Sequence, residues 1–229
     1  MQERDRSPLL ATKIPILDHL SGSGLSRGTL IELCGQPSGG QWAIALAILA
    51  AATGVGESAA LVDPGAHLDP QGAAAAGIDL SRLLWVRPPR LKEALMSTEM
   101  ILSAGFSLVV LDLTLQPSAS FPSAVWIRLS RAAQAQKSVL LVVGPAPLCG
   151  TAADTVVIAE SSRPVWLGSG PKPKLLAGLS VDLTAHKRRG KRGEISGKLF
   201  LPIYEKMASE MPEERTADEI AADCLPIRS

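Results

Sequence analysis

The sequence is poor in aromatic residues, with three Phe, four Trp and one Tyr among 229 residues. Base-stacking surfaces need several exposed rings on one face, so this scarcity argues against such a surface. Three cysteines, Cys34, Cys149 and Cys224, lie far apart and fit neither a disulfide framework nor a zinc site. No apolar run approaches the roughly 18 residues of a membrane span, and the first ten residues lack an apolar secretion core. We therefore expect a cytoplasmic protein without membrane contact.

Charge is balanced overall but unevenly distributed. The formal net charge is +1, which is too small for the whole chain to act as an electrostatic nucleic-acid binder. Residues 161–193 carry eight Lys or Arg against Asp182 alone, whereas residues 205–229 carry seven acids against three basic residues. We expect a short extension over residues 1–13, one domain over residues 14–204 and an acidic, flexible tail over residues 205–229.

Short, continuously apolar runs alternate with alanine-rich stretches between about residues 30 and 160. Strands covered on both faces show this pattern, and strand–helix repetition predicts an α/β fold with a mostly parallel twisted sheet flanked by helices. The predicted strands are Leu30–Gly35, Ala59–Asp63, Leu83–Val86, Ser107–Leu113, Val139–Gly144 and Thr155–Ala159. Two later runs, Leu175–His186 and Glu194–Tyr204, predict a C-terminal antiparallel hairpin at the sheet edge.

Helices are predicted between these strands. A first helix over Ala43–Thr53 is expected to end at Gly54, a good residue for a C-cap. Asp69 followed by Pro70 is typical of an N-cap and a first helical position. Two more helices follow from apolar residues at helical spacing, namely Leu91, Leu95, Thr98 and Leu102, and then Val125, Leu129 and Ala132.

A glycine-rich loop, Gly35-Gln-Pro-Ser-Gly-Gly40, follows the first strand and precedes the first helix. It keeps the spacing of a phosphate-binding P-loop, which continues with Lys and then Ser or Thr. Here Gln41 and Trp42 follow, so the charged contact to phosphate and the hydroxyl that binds Mg²⁺ are both absent. The vestigial loop residues are Gly35, Ser38, Gly39, Gly40, Gln41 and Trp42. The loop is either a tight strand-to-helix turn or a weak anion cradle, and we predict no cofactor and no catalysis.

Asp112 ends a buried strand, at the place of the carboxylate that holds Mg²⁺ in P-loop proteins. Without a hydroxyl at position 42, the metal site is half built, and a carboxylate capping a neighbouring turn is the favoured interpretation. His19 and His67 have no carboxylate or cysteine at useful spacing, so we expect loop or surface histidines and no metal site. Trp85 and Trp126 are interpreted as packing residues of the core or of an interface.

Segments from residue 14 to residue 160 resemble the RecA family core. They are Gly24-Leu-Ser-Arg-Gly28 before the first strand, the stretch Leu61–Pro70, and Ala76-Gly-Ile-Asp79. The resemblance implies a RecA-like fold and an adenine contact at Asp69. It also places Gly65 where the family has the glutamate that activates water. Together with Gln41 and Trp42, three catalytic roles are therefore missing.

The runs Leu25–Glu32, Ala76–Arg87 and Leu108–Leu113 resemble the ImuA family, which comprises short RecA-like proteins of damage-induced mutagenesis cassettes. The resemblance implies a non-catalytic accessory role in the SOS response and translesion synthesis, with nucleoid association during DNA damage. Implied partners are RecA, an ImuB-like inactive polymerase and error-prone DNA polymerase components. Two alternatives stay open: a SulA-like cell-division inhibitor, and a nucleotide-dependent recombinase paralogue.

A basic turn joins the two hairpin strands, with five cationic side chains in residues 187–192. It consists of Lys187, Arg188, Arg189, Lys191 and Arg192 around one glycine. Such dense like charge repels itself, and an anionic partner relieves the repulsion. One interpretation is contact with phosphates of single-stranded DNA. A solvated turn, and attraction to the acidic tail or a partner, are the two others.

Overall fold

The computed structural model describes residues 9–12, 14, 17–18, 24–116, 121–167, 175–187 and 193–202. Ten strands lie within them: β1 Leu9–Leu10, β2 Leu25–Ser26, β3 Thr29–Gly35, β4 Ala59–Val62, β5 Leu83–Val86, β6 Leu108–Asp112, β7 Val139–Gly144, β8 Thr155–Leu167, β9 Leu175–Lys187 and β10 Gly193–Pro202. The α-helices are α1 Gln41–Gly54, α2 Pro70–Ala75, α3 Leu91–Ser103 and α4 Ser123–Ala135. Two 3₁₀ turns span Leu80–Arg82 and Gly150–Ala152.

Eight of the strands form one sheet in the order β10-β9-β8-β3-β7-β6-β4-β5. Strands β3 to β8 pair in parallel, whereas β8, β9 and β10 pair antiparallel. The short β1 and β2 form a separate antiparallel pair. The predicted α/β fold, with a mostly parallel sheet and a C-terminal antiparallel hairpin at its edge, is confirmed.

Helices cover both faces of the central parallel strands, which explains why those strands are almost entirely apolar. Successive residues of β6 face opposite sides: Val110 lies in the core under α1, and Val109 and Leu111 lie in the core under α3 and α4. Strands β4, β6 and β7 are buried along their whole lengths. Side chains alternate between the two faces of a sheet. A strand that is covered on both faces therefore lacks the alternation of apolar and polar residues seen in a half-exposed strand.

The carboxyl ends of β3, β4 and β6 meet at one edge of the sheet, because β3, β7, β6 and β4 run parallel side by side. The glycine-rich loop leaves from β3, Asp63 directly follows β4, and Asp112 ends β6. Open α/β sheets carry their functional groups at this edge. The fold therefore brings together polar residues that are widely separated in sequence.

The antiparallel region is larger than the sequence predicts. Strand β8 does not stop at Ala159 but continues to Leu167, with a register shift between Ala159 and Ser161 in its pairing with β9. The bulge lets the strand leave the buried parallel sheet and continue as a more exposed one. Beyond the bulge the strand is no longer a continuous apolar run, so a prediction based on such runs ends the strand too early.

The first helix ends one residue later than predicted, and the glycine that follows its cap is Gly56. Gly54 lies inside α1, the C-cap is Val55, and Gly56 has the positive φ of 87°. The amide of Gly56 donates to Thr53 O at 2.9 Å, and the amide of Glu57 donates to Ala52 O at 3.0 Å. These two bonds form a Schellman motif, which needs the glycine after the cap.

The apolar stripe of α4 is also rotated from its predicted position. Its buried residues are Trp126, Leu129, Ser130 and Ala133, whereas the predicted Val125 and Ala132 are only partly buried. Trp126 is 1% exposed and lies edge-on to Phe121, so it is a core residue. None of the helices in the described ranges has both the length and the apolar character to cross a membrane.

Candidate functional site

The glycine-rich loop lies where the sequence predicts it, between β3 and α1. Gly40 is the N-cap of α1 with φ of 96°, and Ser38 also has a positive φ of 64°. Within the loop, the amide of Gly39 donates to Gln36 O at 2.8 Å. These left-handed positions turn the chain sharply from the strand into the helix.

The side chain of Gln41 fills the inside of this loop. Its Nε2 donates to Gly35 O at 3.0 Å and to Gln36 O at 3.1 Å, and the residue is 3% exposed. A Cβ atom at Gly35 would lie 2.9 Å from Gln41 Oε1, and one at Gly39 would lie 3.1 Å from it. The loop glycines therefore make room for a side chain of the protein itself.

Strands β8 and β9 pack against the outside of the loop. A Cβ atom at Gly40 would approach Val181 Cγ2 to 2.7 Å, and Val181 is fully buried. From β8, Ser162 Oγ donates to Ser38 O. The antiparallel region thus fixes the loop from one side while Gln41 fills it from the other.

Asp112 holds a turn and contacts a histidine. Its Oδ1 accepts from Thr114 N at 2.9 Å and from Thr114 Oγ1, so the predicted capping role is confirmed. Its Oδ2 lies 3.0 Å from His67 Nδ1. The prediction that His67 has no carboxylate partner is wrong, because the sheet joins the ends of β4 and β6 across 45 residues of sequence.

A second carboxylate, Asp63, lies beside this pair and is fully buried. Its Oδ2 accepts from Leu68 N and from Trp85 Nε1, each at 3.1 Å. One ligand atom from each of Asp63, His67 and Asp112 lies within 4.8 Å of the others. Sequence reasoning missed both Asp63 and His67, although Asp63 ends a predicted strand just as Asp112 does.

Gly65 and Trp42 shape the position of His67. A Cβ atom at Gly65 would lie only 2.3 Å from His67 Nε2, so the imidazole occupies the space where a side chain at position 65 would begin. Trp42 meets the same ring edge-on, with centroids 6.0 Å apart. The histidine therefore takes the place that a glutamate at position 65 would need.

Trp85 has a polar role beyond the packing that the sequence predicts. Its indole N–H holds Asp63, and the guanidinium of Arg87 lies 4.6 Å from the ring centroid. Asp69 acts locally: Oδ1 accepts from Gln71 N at 3.2 Å and Oδ2 from Gly72 N at 2.9 Å. This confirms the predicted N-cap of α2, with Pro70 as the first helical residue.

The basic turn lies largely outside the described residues. Lys187 is the last residue of β9, whereas Arg188, Arg189, Lys191 and Arg192 are not described. At the base of the turn, His186 Nδ1 lies 3.4 Å from Glu194 Oε2 across β9 and β10. DNA contact at this turn stays a prediction.

Comparisons with known proteins point to one family. The RecA N-terminal domain matches residues 10–124, half of the chain. Protein RecA of Picosynechococcus is 35% identical over 97 residues, 42% of this chain and 28% of the relative. Protein RecA of Nostoc punctiforme is 39% identical over 97 residues, again 42% of this chain and 27% of the relative. The chain thus spans less than a third of the length of these curated relatives.

A structural comparison agrees on the fold. The RadB recombinase superposes with a TM-score of 0.57 at 20% sequence identity, over 82% of this chain and 94% of that one. At this identity the similarity concerns architecture alone. Together with the match over residues 10–124, the fold shows that the chain belongs to the RecA N-terminal domain family.

Proposed function

We propose that this protein is a RecA-like accessory protein of the ImuA type, which has kept the RecA fold without ATP hydrolysis. It acts in the SOS response and in error-prone translesion synthesis by binding RecA, an ImuB-like polymerase partner, or both. The observation that carries the proposal is the side chain of Gln41, which is hydrogen bonded inside the loop where a nucleotide-binding protein holds phosphate.

The energetics of the loop support a loss of nucleotide affinity. A hydrogen bond to a charged group contributes about 1.5–3 kcal/mol, so loss of the lysine alone weakens phosphate binding roughly 10- to 100-fold. Gln41 already donates to two loop carbonyls, and a phosphate would have to displace that amide. Trp42 has no oxygen to offer Mg²⁺.

The arrangement at position 65 supports a loss of hydrolysis. Gly65 brings no carboxylate to the position of the family's catalytic glutamate, and the nearby His67 Nδ1 is engaged by Asp112. General-base activation of water needs a free acceptor within hydrogen-bond reach of the reacting γ-phosphate. Asp112, at the end of β6, also accepts two hydrogen bonds from Thr114.

Retention of the RecA fold supports contact with RecA itself. A subunit that packs like RecA but does not hydrolyse ATP would end a filament when it adds to one. We propose this capping as the mechanism. It predicts inhibition of RecA at substoichiometric or equimolar amounts, rather than a need for large excess.

The first experiment measures binding of the purified protein to RecA from the same cell, with and without single-stranded DNA. Micromolar or tighter binding is the expected result. Absence of binding would refute the RecA contact and leave the polymerase-like partner to be tested in the same way. If RecA strand exchange and ATPase activity are unchanged at equimolar protein, capping is wrong.

The second experiment measures ATP hydrolysis and binding of a fluorescent ADP analogue. We expect neither for the natural protein. An activity that persists in Asp112→Ala would come from a contaminant, whereas an activity abolished by that substitution would favour the recombinase paralogue. Overexpression in cells lacking RecA tests the division-inhibitor alternative, since filamentous growth there would favour it and normal septation would argue against it.

A further inference from the structure

Two buried carboxylates and one histidine meet at the adjoining ends of β4 and β6. Asp63 is fully buried, and Asp112 is 2% exposed. A ligand atom from each of these residues and from His67 lies within 4.8 Å of the other two. Asp112 lies 45 residues beyond His67 in the sequence, and the fold brings the three residues together.

Among the residues that the structure describes, few groups offset the negative charge of this cluster. The donors to Asp63 are an amide and an indole, and those to Asp112 are an amide and a hydroxyl, so all four are neutral. Over the part of the chain that the structure describes, His67 is the one ionisable cation paired with either carboxylate. One histidine can offset no more than one of two buried carboxylates, and buried charges are normally paired or coordinate metals.

Two polar atoms of the cluster have no hydrogen-bond partner among the described residues. They are Asp63 Oδ1 and His67 Nε2, and both are buried. Buried side-chain polar atoms are satisfied in most proteins, so two orphaned atoms in one small cluster call for a ligand. A metal ion is a ligand that satisfies carboxylate oxygen and imidazole nitrogen together.

We infer that Asp63, His67 and Asp112 form a binding site for a divalent transition-metal ion such as zinc. Each residue supplies one ligand atom, and a water or partner group completes the coordination. Imidazole and carboxylate donors suit zinc and similar ions, whereas magnesium prefers oxygen ligands alone. The site needs no nucleotide, and it does not depend on the accessory role proposed above.

The spacing fits an ion after a small rotation. Zinc–nitrogen and zinc–oxygen bonds of about 2.0–2.2 Å place two ligands of one ion roughly 3 to 3.5 Å apart. His67 Nδ1 and Asp112 Oδ2 are already 3.0 Å apart, and with Nδ1 as the ligand it is Asp63 Oδ1, rather than His67 Nε2, that gains a partner from the ion. The wider separations, up to 4.8 Å, need a movement of the Asp63 or His67 side chain.

Gly65 makes this site possible in this chain. With a side chain at position 65, the Cβ atom would lie 2.3 Å from His67 Nε2 and would force the ring away. The same residue that removes a carboxylate from the nucleotide face thus admits the imidazole between Asp63 and Asp112. A side chain at position 65 and a histidine in this metal site therefore exclude each other.

The test is a titration of the chelator-treated, reduced full chain with Co²⁺ and Zn²⁺. We expect one equivalent of each ion to bind at micromolar concentration or tighter. Bound Co²⁺ should show visible absorption bands of nitrogen and oxygen ligation, and Zn²⁺ should raise the melting temperature. His67→Gln and Asp63→Asn are each expected to weaken binding at least about tenfold, the loss typical even of outer-shell changes.

His186→Gln is the matched control, because His186 also faces a carboxylate, Glu194 at 3.4 Å, but on an exposed strand pair. It should leave binding unchanged. Circular dichroism checks that each variant folds. If His67→Gln or Asp63→Asn does not fold, Gly65→Ala takes its place, because the added methyl group forces the His67 ring out of the site. The inference fails if no ion binds below millimolar concentration, if His67→Gln and Asp63→Asn both bind normally, if His186→Gln abolishes binding, or if the cobalt spectrum shows thiolate ligation.

Discussion

His67 Nδ1 lies 3.0 Å from Asp112 Oδ2, and this contact joins the loop after β4 to the end of β6. It exists because position 65 is glycine, whose missing Cβ would otherwise lie 2.3 Å from the other ring nitrogen. A residue that the sequence presents as an ordinary loop histidine is therefore part of the packed edge of the sheet.

Gly65→Ala tests this relationship. The new methyl group must displace the imidazole, so the His67–Asp112 contact breaks and the protein loses about 1–3 kcal/mol of unfolding free energy, as overpacked sites do. Urea denaturation measures the loss. The φ of Gly65 does not fall in the left-handed region, so backbone strain does not contribute.

A double-mutant cycle separates the steric effect from other causes. In a His67→Ala background the methyl group meets no ring, so Gly65→Ala should then change stability by only a few tenths of a kcal/mol. An equal loss in both backgrounds would show that the methyl group clashes with something other than His67.

Much of the fold follows from local sequence patterns. The strand from Leu83 to Val86 has the same bounds in prediction and structure, as does the one from Val139 to Gly144, because continuous apolar runs mark the strands of a parallel sheet. The predicted end of α1 differs from the observed one because Gly54 and Gly56 both suit a helix end, and the hydrogen bonds donated by Gly56 N and Glu57 N place the end at the second. Propensity alone cannot distinguish two glycines two residues apart.

The candidate site could be predicted only in part. The loop and Asp112 are found from spacing, since both sit at the ends of buried strands. The partner of His67 depends on the order of strands in the sheet, which places β6 next to β4. The inward direction of the Gln41 side chain depends on the loop carbonyls and on packing from β8 and β9, which no local pattern contains.

Gln41→Ala is expected to destabilise the protein by about 1–3 kcal/mol. The substitution removes the side-chain donor to Gly35 O and Gln36 O and empties the inside of the loop, although Gln36 O keeps the amide of Gly39. Urea denaturation is the measurement. Gln134→Ala is the matched control, because Gln134 is exposed on α4, and we expect it to stay within about 0.5 kcal/mol of the natural protein. Equal effects of the two substitutions would contradict a structural role for the buried amide.

Two glycines of the first helix should respond to alanine in opposite directions. Gly54 is in the last turn of α1 with no atom within 4 Å of an added Cβ, so Gly54→Ala should stabilise by up to about 1 kcal/mol. Gly40 has φ of 96°, and an added Cβ would approach Val181 to 2.7 Å, so Gly40→Ala should destabilise by more than that. Thermal melts of both variants give the comparison. Destabilisation by Gly54→Ala, or tolerance of Gly40→Ala, would show that these helix ends are built differently.

Asp79 should stabilise the fold in a pH-dependent way. Hydrogen bonds from the Ser81 hydroxyl and amide, with the charge of Arg82 adding to them, hold the pKa of the Asp79 carboxyl below its ordinary value. A lowered pKa means that the contribution is complete above the ordinary aspartate pKa and is lost as pH falls through the folded-state pKa. NMR titration gives the pKa, and urea denaturation of Asp79→Asn should show a shallower loss of stability in acid. The difference between the two proteins should be small because the Asp79 side chain is exposed. Identical dependence of stability on pH in acid would contradict this role of Asp79.

Neutralising the basic turn should weaken binding to single-stranded DNA. In the triple variant Arg188→Gln, Arg189→Gln and Arg192→Gln, three cations that would release counterions from phosphate are gone, so affinity falls and its salt dependence becomes flatter. Fluorescence anisotropy with oligonucleotides at several salt concentrations gives both quantities.

The matched control removes three exposed cations from the helical side of the molecule, Lys92, Arg131 and Lys137. Both triple variants change the net charge equally, so a general electrostatic effect weakens both to the same extent. A loss confined to the turn variant would locate the DNA contact at residues 187–192. At ordinary salt, the interaction between a cationic side chain and a phosphate is screened beyond about 10 Å. Unchanged affinity of the turn variant at low salt would instead leave the turn as a solvated loop or as the partner of the acidic segment, and DNA contact there would be wrong.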